Sequence, residues 1–421
     1  SPVQSTTGLS AEYETTEGFR DNDDEDNYRL GIQLGYKSLS ENNAKPTTLI
    51  KFTSDYLDET SGSPGYVDSP TLFYRKKNTL SITAVSVQYL NIHSISSLTK
   101  SDTQNTDVTR DLDKNLSITE FEHTISSAFN SQYIGNYGLG ISYYNGRASG
   151  SDFSSQMEYT WSSFSTFSMP SDWLFVDVSA GLRLNYSSAF DYSLNPEINI
   201  SYPNEKWGLS FSYSGSNNNP SFKKRFNQTS STIPNPSLGM ETADNFSLTL
   251  TNKVGSDFSS SINLYYNILT DRITYVRENG IGQYQNLGKV TYTGFNISNS
   301  WRATDKLAIK LDYSYLEAID QESSYWLTSK SRHTSNLIFQ YRPSEFLSIN
   351  LKGKHRSKSY TNKANTLFQE PYTLVNIQIE YTVNNIRLFA NVDNMFDEYY
   401  TFAGGLPSPS RYWELGIQYS F

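Results

Sequence analysis

The chain of 421 residues contains no cysteine, which excludes a disulfide-stapled small fold and any zinc or iron–sulfur centre with thiolate ligands. Its histidines form no i, i+4 pair, so their spacing gives no zinc or iron site; they are His93, His123, His333 and His355. No G-x-S-x-G motif or clustered Ser/His/Asp set occurs, and the sequence therefore predicts no enzyme.

Long apolar runs and basic runs are also missing. No segment approaches the roughly 18 consecutive apolar residues of a transmembrane helix. The net charge is -9 and no run is rich in Lys and Arg, which argues against nucleic acid as a partner. Aromatic residues, in contrast, make up 14% of the chain, whereas a disordered chain would be poor in them. No linker or change of composition divides the chain, so we expect one domain over residues 1–421.

Strict alternation of apolar and polar side chains recurs from end to end. In residues 374–383 one face carries Val375, Ile377, Ile379, Tyr381 and Val383, and the other carries Asn376, Gln378, Glu380 and Thr382. Ten residues of period two are about one membrane-spanning strand. The segment 386–393 repeats the pattern after Asn384-Asn385, a tight hairpin turn. Similar segments back to 8–17 bring the predicted number to about 20 strands.

The connections between these segments fall into two alternating classes. Short ones lie at 384–385, 343–345, 304–306, 255–257, 203–206 and 170–172. Longer ones lie at 395–411, 359–371, 317–332, 277–289, 216–242, 100–118, 57–79 and 18–27, with one short exception at 187–189. A propeller would show a repeat of roughly 40–50 residues, which is missing. The pattern predicts an all-β transmembrane antiparallel barrel of 20–22 strands with short periplasmic turns and long extracellular loops.

Several motifs resemble the TonB-dependent outer-membrane transporters, in particular the vitamin B12 and siderophore receptors. Residues 391–400 are similar to the N-L-F-D-x-x-Y segment of that family, and 404–421 resemble its last loop and last strand. Further similar passages are Asn219-Pro220-Ser221-Phe222, Asn235-Pro236-Ser237-Leu238, 265–273 and 285–294. The resemblance covers most of the region from 207 to 421.

The resemblance implies a 22-stranded barrel, an N-terminal plug with a TonB box, and import of a scarce nutrient such as cobalamin or a ferric siderophore. A TonB-type protein would supply energy through the plug. The first alternating segment lies next to Ser1, so we expect only the barrel here, without plug or TonB box. The plug was then trimmed, belongs to a separate polypeptide as in a split transporter, or does not exist. A plugless barrel would act as a passive porin or as a scaffold that anchors another outer-membrane protein.

Lumen-facing side chains are expected to be polar in each of these interpretations. An importer needs such side chains to bind a plug, and a porin needs opposed charges around a constriction. The set Asp312, Lys352, Lys354, Gln378, Glu380, Glu414 and Gln418 is compatible with both.

Aromatic side chains of the outer loops are the candidates for ligand binding, because bulky amphipathic nutrients are held by such groups. Packing between loops, or a place in the interfacial girdle, is the alternative for each of them. The candidates are Tyr66, Tyr74, Phe226, Tyr284, Trp326, Tyr360 and Phe402, with Phe73, Tyr325 and Phe368 beside them. The cationic run Lys223-Lys224-Arg225 is a candidate for an anionic ligand or for lipopolysaccharide phosphates, or it is only an interfacial charge belt.

Two further sites are predicted at the ends of the chain. The acidic run 21–27 suits Ca²⁺ through Asp21, Asp23, Asp24 and Asp26, although it lacks the glycine and terminal glutamate of an EF-hand and could equally be a solvated loop. The resemblance implies that the last strand is the signal read by the barrel-assembly machinery, through Trp413, Tyr419 and Phe421. Localisation in the outer membrane of a Gram-negative bacterium follows, with lipid and lipopolysaccharide around the barrel.

Overall fold

The structure, a computed structural model, describes residues 3–39, 46–66, 69–131, 135–169, 175–202, 204, 206–229, 231–278, 281–402 and 406–419. Twenty strands form one antiparallel sheet in which each strand pairs with the next along the chain. In chain order they are β1 (Val3–Thr16), β2 (Glu25–Leu39), β3 (Pro46–Gly62), β4 (Tyr74–Tyr89), β5 (Ile92–Asp107), β6 (Leu112–Ser131), β7 (Gly135–Gly150), β8 (Phe153–Met169), β9 (Asp177–Ser187), β10 (Asp191–Tyr202), β11 (Trp207–Asn218), β12 (Glu241–Val254), β13 (Phe258–Thr270), β14 (Lys289–Thr304), β15 (Leu307–Asp320), β16 (His333–Tyr341), β17 (Leu347–Arg356), β18 (Tyr372–Val383), β19 (Ile386–Asp393) and β20 (Tyr412–Tyr419).

The meander confirms the predicted all-β barrel and the predicted number of strands. Asn384, in the tight turn between β18 and β19, has φ 52°, and Gly255, between β12 and β13, has φ 62°. Both positions need the left-handed conformation that Asn and Gly adopt readily. The predicted turn at 170–172 lies outside the described residues, as do Pro203 and Glu205 of the turn at 203–206.

Two predicted outer loops are wrong because the ladder of hydrogen bonds continues through them. β5 runs to Asp107 and β6 begins at Leu112, so the connection predicted at 100–118 is only 108–111. Likewise β3 ends at Gly62 and β4 begins at Tyr74, which leaves 63–73. Residues 100–107 of β5 are polar on both faces, and a period-two search for apolar residues therefore finds no signal there. The start of β6 does alternate, with Leu112, Leu116 and Ile118 on one face, but the pattern is interrupted by Lys114.

The two faces of the sheet differ as the alternation predicts. Leu139 and Ile141 of β7 lie on the outward face and are 56% and 54% exposed, whereas Ser142 lies on the inward face and accepts a hydrogen bond from Arg183 at 2.9 Å. Pairs of aromatic rings occupy the outward face, including Tyr143 with Trp161 at 4.5 Å and Tyr202 with Trp207 at 5.1 Å between centroids. Aromatic rings at this position are typical of interfacial girdles.

Three of the side chains predicted to line the lumen, Glu380, Glu414 and Gln418, take part in a polar ladder across β18, β19 and β20. Arg387 forms an ion pair with Glu380 and donates to Gln418 at 3.1 Å. Asn391 donates to Glu414 at 2.6 Å. These side chains share the inward face, so the wall is hydrophilic on the side where a solute or a filling domain would lie.

The first and last strands are the two edges of the sheet. Among the described residues, β1 pairs only with β2, and β20 pairs only with β19. Their apolar side chains are correspondingly open, with Leu9 78% and Leu415 82% exposed. Unpaired backbone groups within a bilayer cost several kcal/mol each. The described strands therefore form a barrel wall with one seam that needs a hydrogen-bonding partner.

Among the described residues, the regular elements outside the sheet all lie at one end of the barrel, which we call the loop end. They are the helix α1 (Phe222–Phe226) and four short hairpins, Gly65–Tyr66 with Ser69–Pro70, Ile273–Glu278 with Ile281–Asn286, Ser359–Tyr360 with Phe368–Gln369, and Thr401–Phe402 with Leu406–Pro407. In the described part of the chain, no helix is both long and apolar enough to cross a membrane.

Candidate functional site: the loop end of the barrel

Five connections at the loop end pack against one another, and we call them the loop cluster: 219–240, 271–288, 321–332, 357–371 and 394–411. Asn286 joins the first two, because it accepts from the Gly239 amide at 2.7 Å and donates to the Gly239 carbonyl at 3.0 Å. Asn365 joins the next pair in the same way, accepting from the Trp326 amide at 2.7 Å and donating to its carbonyl at 3.0 Å. Backbone groups in these loops have no strand to pair with, and the side chains of Asn286 and Asn365 supply their hydrogen-bond partners instead.

A crevice of about 470 Å³ opens between three of these loops, and we call it the outer crevice. Its lining combines an aromatic ring with charges of both signs; it includes Arg272, Glu322, Tyr325, Trp326 and Lys363. The Arg332 guanidinium lies 3.3 Å from the centroid of the Trp326 ring and holds that ring in place. Such an arrangement can stack an aromatic ligand group and pair with its negative charges.

A second cavity, of about 560 Å³, lies against the inward face of β6 to β10, and we call it the wall cavity. It is lined mainly by hydroxyl, amide and charged groups. Tyr144 donates to Glu120 at 2.8 Å, and Arg183 donates to Asn185 at 3.0 Å. Loop 219–240 covers this cavity with Phe222 of α1.

The helix α1 changes the interpretation of the cationic run 223–225. Ser221 caps the helix by accepting from the Lys224 amide. Lys223 is exposed, but Arg225 is buried in an ion pair with Glu158 of β8. The three cations therefore do not form one accessible cluster for an external anion. The partner, 67 residues earlier in the chain, gives no local sequence signal.

The aromatic ligand candidates do not converge on one site. Trp326 and its neighbour Tyr325 line the outer crevice. Of the other described side chains, Tyr74 donates to Asn105 at 3.0 Å, Phe226 lies 6.1 Å from Phe153, Tyr284 lies 5.1 Å from Tyr275, and Tyr360 lies 6.0 Å from the Lys358 ammonium. The side chains of Tyr66 and Phe402 lie outside the described part of the structure. Sequence reasoning missed Arg272 and Lys363 as crevice residues. Arg272 lies in the family-like passage 265–273, to which no binding role was given, and Lys363 lies in a segment without a motif.

The acidic run 21–27 is connected to the next loop rather than gathered around one point. Asp24 forms an ion pair with Arg75 at 2.6 Å, and this guanidinium lowers the pKa of the Asp24 carboxyl. Asp23 accepts from the Phe19 amide at 3.3 Å, and Asp26 accepts from the Tyr13 hydroxyl at 3.2 Å. The described residues contain no group of three or more His, Asp or Glu side chains that could hold a metal ion. The structure therefore does not bring Asp21, Asp23, Asp24 and Asp26 together, and the calcium site stays a sequence prediction.

Asn22 completes this connection. It has φ 61°, and its side-chain amide donates to the carbonyls of Thr71 at 2.6 Å and Tyr74 at 2.9 Å.

Of the predicted assembly signal, Trp413 lies on the outward face of β20 and is 65% exposed. Tyr419 is the last residue of β20, and Phe421 lies outside the described residues.

Comparisons with known proteins agree with this architecture. No curated protein sequence matches the chain. The siderophore receptor PirA of Acinetobacter baumannii superposes with a TM-score of 0.80 at 14% identity, over 99% of this chain and 75% of that one. A mutant of the ferric enterobactin receptor PfeA of Pseudomonas aeruginosa gives 0.78 at 15% identity, over 95% and 70%. The FrpB iron transporter of Neisseria meningitidis gives 0.77 at 14% identity, over 100% and 76%.

At these identities the structural likeness shows the fold alone. The family-level evidence comes from the sequence, because the family model described as "TonB dependent receptor-like, beta-barrel" matches residues 2–395. That range contains β1 to β19 and four of the five loops of the loop cluster in full. The chain therefore belongs to the TonB-dependent receptor β-barrel family, whose members are outer-membrane receptors and transporters rather than enzymes.

Proposed function

We propose that this chain forms the wall and the recognition loops of an outer-membrane importer for an anionic ferric siderophore. The outer crevice is the observation that carries the proposal. Its lining combines the Trp326 ring with the cationic side chains of Arg272 and Lys363. The three receptors and transporters compared above handle siderophores or iron according to their names, which supports a ligand of this class over cobalamin.

The charge of the loop cluster supports the same class of ligand. Its five loops contain ten Lys or Arg residues against six Asp or Glu residues, although the whole chain has a net charge of -9. A local excess of cations attracts an anion and raises its rate of association. An anionic ferric complex would therefore be drawn to this part of the loop end.

A plug from outside these 421 residues is part of the proposal. The lumen of a barrel of this size is wide and needs a filling element. The polar ladder of Glu380, Arg387, Gln418 and Glu414 offers hydrogen bonds to such an element. The plug, on a separate polypeptide or on a segment of a longer chain, would contact a TonB-type protein that supplies the energy.

The seam between β1 and β20 could be closed by a β-hairpin that belongs to the same polypeptide or segment as the plug. β1 runs toward the loop end, because the outer connection 17–24 follows it, and β20 runs away from the loop end, because it follows 394–411. An antiparallel insertion between them must hold an even number of strands, with both of its ends on the plug side. A hairpin attached to the plug would satisfy the unpaired edges of both strands.

The surrounding membrane supplies the remaining partners in this proposal. Lipid and lipopolysaccharide would contact the outward face of the barrel in the outer membrane of a Gram-negative bacterium. The barrel-assembly machinery would bind the last strand. Deletion of Phe421 should then reduce the heat-modifiable, folded form in the outer membrane, and wild-type abundance of that form would contradict this role.

Ligand binding by whole cells tests the proposed function. Cells of the native bacterium, with and without the gene for this chain, are incubated with ⁵⁵Fe-enterobactin and with radiolabelled cobalamin. We expect saturable binding of the ferric siderophore that depends on this chain and no binding of cobalamin. Binding of cobalamin alone, or of neither compound, would contradict the proposed ligand class.

A passive pore is the second candidate, and the position of loop 219–240 is the observation that favours it. This loop turns inward onto the wall, as a constriction loop does in a porin. Planar-bilayer recordings distinguish the two functions. A steady open conductance of the complex isolated from native membranes would support the pore, and a closed barrel would support the importer.

A further inference from the structure

A buried cation fastens loop 219–240 to the inward face of the barrel wall. Arg225 is 4% exposed, and its guanidinium forms an ion pair with the buried carboxylate of Glu158. Aromatic rings surround the same guanidinium, whose distances to their centroids are 4.7 Å for Phe190, 5.2 Å for Phe222 and 4.9 Å for Phe226. The charge is thus enclosed by one carboxylate and three rings.

The fastened loop spans a large part of the wall. It leaves the sheet after β11 and reaches back past β10 and β9 to β8, where the Phe226 ring lies 6.1 Å from the Phe153 ring. It then returns to β12, and the Asn235 amide donates to the Arg225 carbonyl at 2.8 Å on the way. The loop therefore closes over the wall cavity rather than extending into solvent.

The ion pair decides whether this closed position is favourable. A buried charge is tolerated only where an opposite charge and hydrogen bonds compensate for lost hydration. Arg225 is already short of partners, because its buried Nε has no hydrogen-bond acceptor among the described residues. Removal of the Glu158 charge would leave a buried guanidinium without compensation, and the loop would move outward to hydrate it.

We propose that Arg225 and Glu158 are positioning residues that hold loop 219–240 as a lid over the wall cavity. The lid is coupled to the outer crevice by hydrogen bonds, since Gln283 donates to the Pro234 carbonyl at 3.1 Å and the Ile233 amide donates to the Gly282 carbonyl at 2.9 Å. Gly282 and Gln283 belong to the hairpin whose first strand lines the crevice with Thr274. Ligand in the crevice therefore contacts the elements that carry the lid.

The absence of cysteine makes the lid directly measurable. Gln228 of the loop and Ser155 of β8 are both exposed. Replacing each with cysteine gives two unique sites for spin labels in the full chain, in native outer membranes without ligand. Pulsed electron paramagnetic resonance then reports the distribution of distances between loop and wall.

Two variants remove the ion pair from opposite sides, and a third is the matched control. Arg225→Ala and Glu158→Gln should lengthen the main distance by about 10 Å or more, because each released residue extends by about 3.3 Å. Arg225→Lys keeps the cation and should retain a substantial closed population. The control, Glu122→Gln, neutralises another carboxylate that lines the wall cavity, and its distances should equal those of the parent.

Unchanged distances in both Arg225→Ala and Glu158→Gln would overturn the lid. A heat-modifiability gel on each variant verifies that the barrel is folded, and a variant that fails this check is replaced by Arg225→Gln, which also removes the cation and for which the same lengthening is expected.

The role of the lid in import rests on the proposed function, and a separate measurement tests it. Uptake of ⁵⁵Fe-enterobactin by Arg225→Ala should lose maximal rate by about tenfold with an unchanged half-saturation concentration, because the crevice itself is intact. Unchanged uptake would exclude a role of the lid in import, whereas failure of the parent protein to bind the siderophore would count against the proposed function instead.

Discussion

The outer ends of the early strands, β4 to β7, and of the late strands, β17 to β20, are connected in different ways. Strands β4 to β7 contain 16, 16, 20 and 16 residues, whereas β17 to β20 contain 10, 12, 8 and 8. About 9–11 residues suffice to cross a membrane. In the first half the ladder therefore continues beyond the membrane and ends in turns such as 108–111 and 151–152. In the second half the chain leaves the ladder early and folds into the loop cluster.

Charge differs between the halves as well. The outer connections from 17 to 190 contain two Lys or Arg residues against seven Asp or Glu residues, whereas the loop cluster contains ten against six. In the first half the strand ladder itself reaches most of the outer turns, with side chains of Asn22, Asp24 and Arg75 joining loops 17–24 and 63–73. In the second half side chains such as Asn286 and Asn365 join the long loops. Under the proposed function, the first half is the support and the loop cluster recognises the ligand.

Of the changes that test this difference between the two halves, loss of the Trp326 ring should have the largest effect, a loss of affinity for the ferric siderophore. Trp326→Ala removes a half-buried aromatic anchor from the crevice, which costs about 2 kcal/mol or more, roughly 30-fold in affinity. Tyr74→Ala, in the first half, removes a ring that is bound to Asn105 and should leave affinity within about twofold of the parent. Equilibrium binding of ⁵⁵Fe-enterobactin measures both. Equal losses of affinity in the two variants would contradict the proposal that the loop cluster, and not the first half, binds the ligand.

Removal of a side chain that joins two loops should open the loop cluster locally. Asn286→Ala leaves the Gly239 amide and carbonyl without these partners, at a cost of about 1–3 kcal/mol. Hydrogen exchange of the Gly239 amide should then be about tenfold faster or more. Gln285→Ala, next to it, loses only a contact to Gln283 and is the matched control. Protection that survives in Asn286→Ala would show that the loops are held by other contacts.

Acidification should loosen the connection between loops 17–24 and 63–73 by a smaller amount. Because Arg75 lowers the pKa of Asp24, the ion pair stabilises the fold above the unfolded-state pKa of about 3.9, and this contribution is lost as pH falls through the lower folded-state value. The pair is partly exposed, so the effect is about 0.2–1 kcal/mol. The mobility of a spin label at Glu17→Cys should rise below about pH 4. With Arg75→Met it should be high already at pH 7, and no difference between the two proteins would refute the link.

Chelation should have the smallest effect. The structure directs Asp23, Asp24 and Asp26 to separate partners, and we therefore expect proteolysis between residues 17 and 28 to be the same with and without chelator. Faster cleavage in chelator would instead support the calcium site that the sequence suggests.

The sequence predicts the barrel well because membrane strands alternate, and β18 and β19 are found to within two residues. It fails where both faces of a strand are polar, as in the outer part of β5, because backbone pairing there leaves no apolar period in the sequence. It identifies Trp326 by position in a loop, but not Arg272 or Lys363, which are brought together by folding. Nor can it reveal that Arg225 is buried, since Glu158 and Phe190 come from distant strands and turns.

The most direct test of the central claim is the energy dependence of uptake. Accumulation of ⁵⁵Fe-enterobactin is measured in the native bacterium with and without its TonB-type protein, at equal amounts of this chain in the outer membrane. The importer predicts unchanged surface binding and loss of accumulation when the TonB-type protein is absent. Equal accumulation in both strains would contradict the importer and identify the barrel as a passive pore.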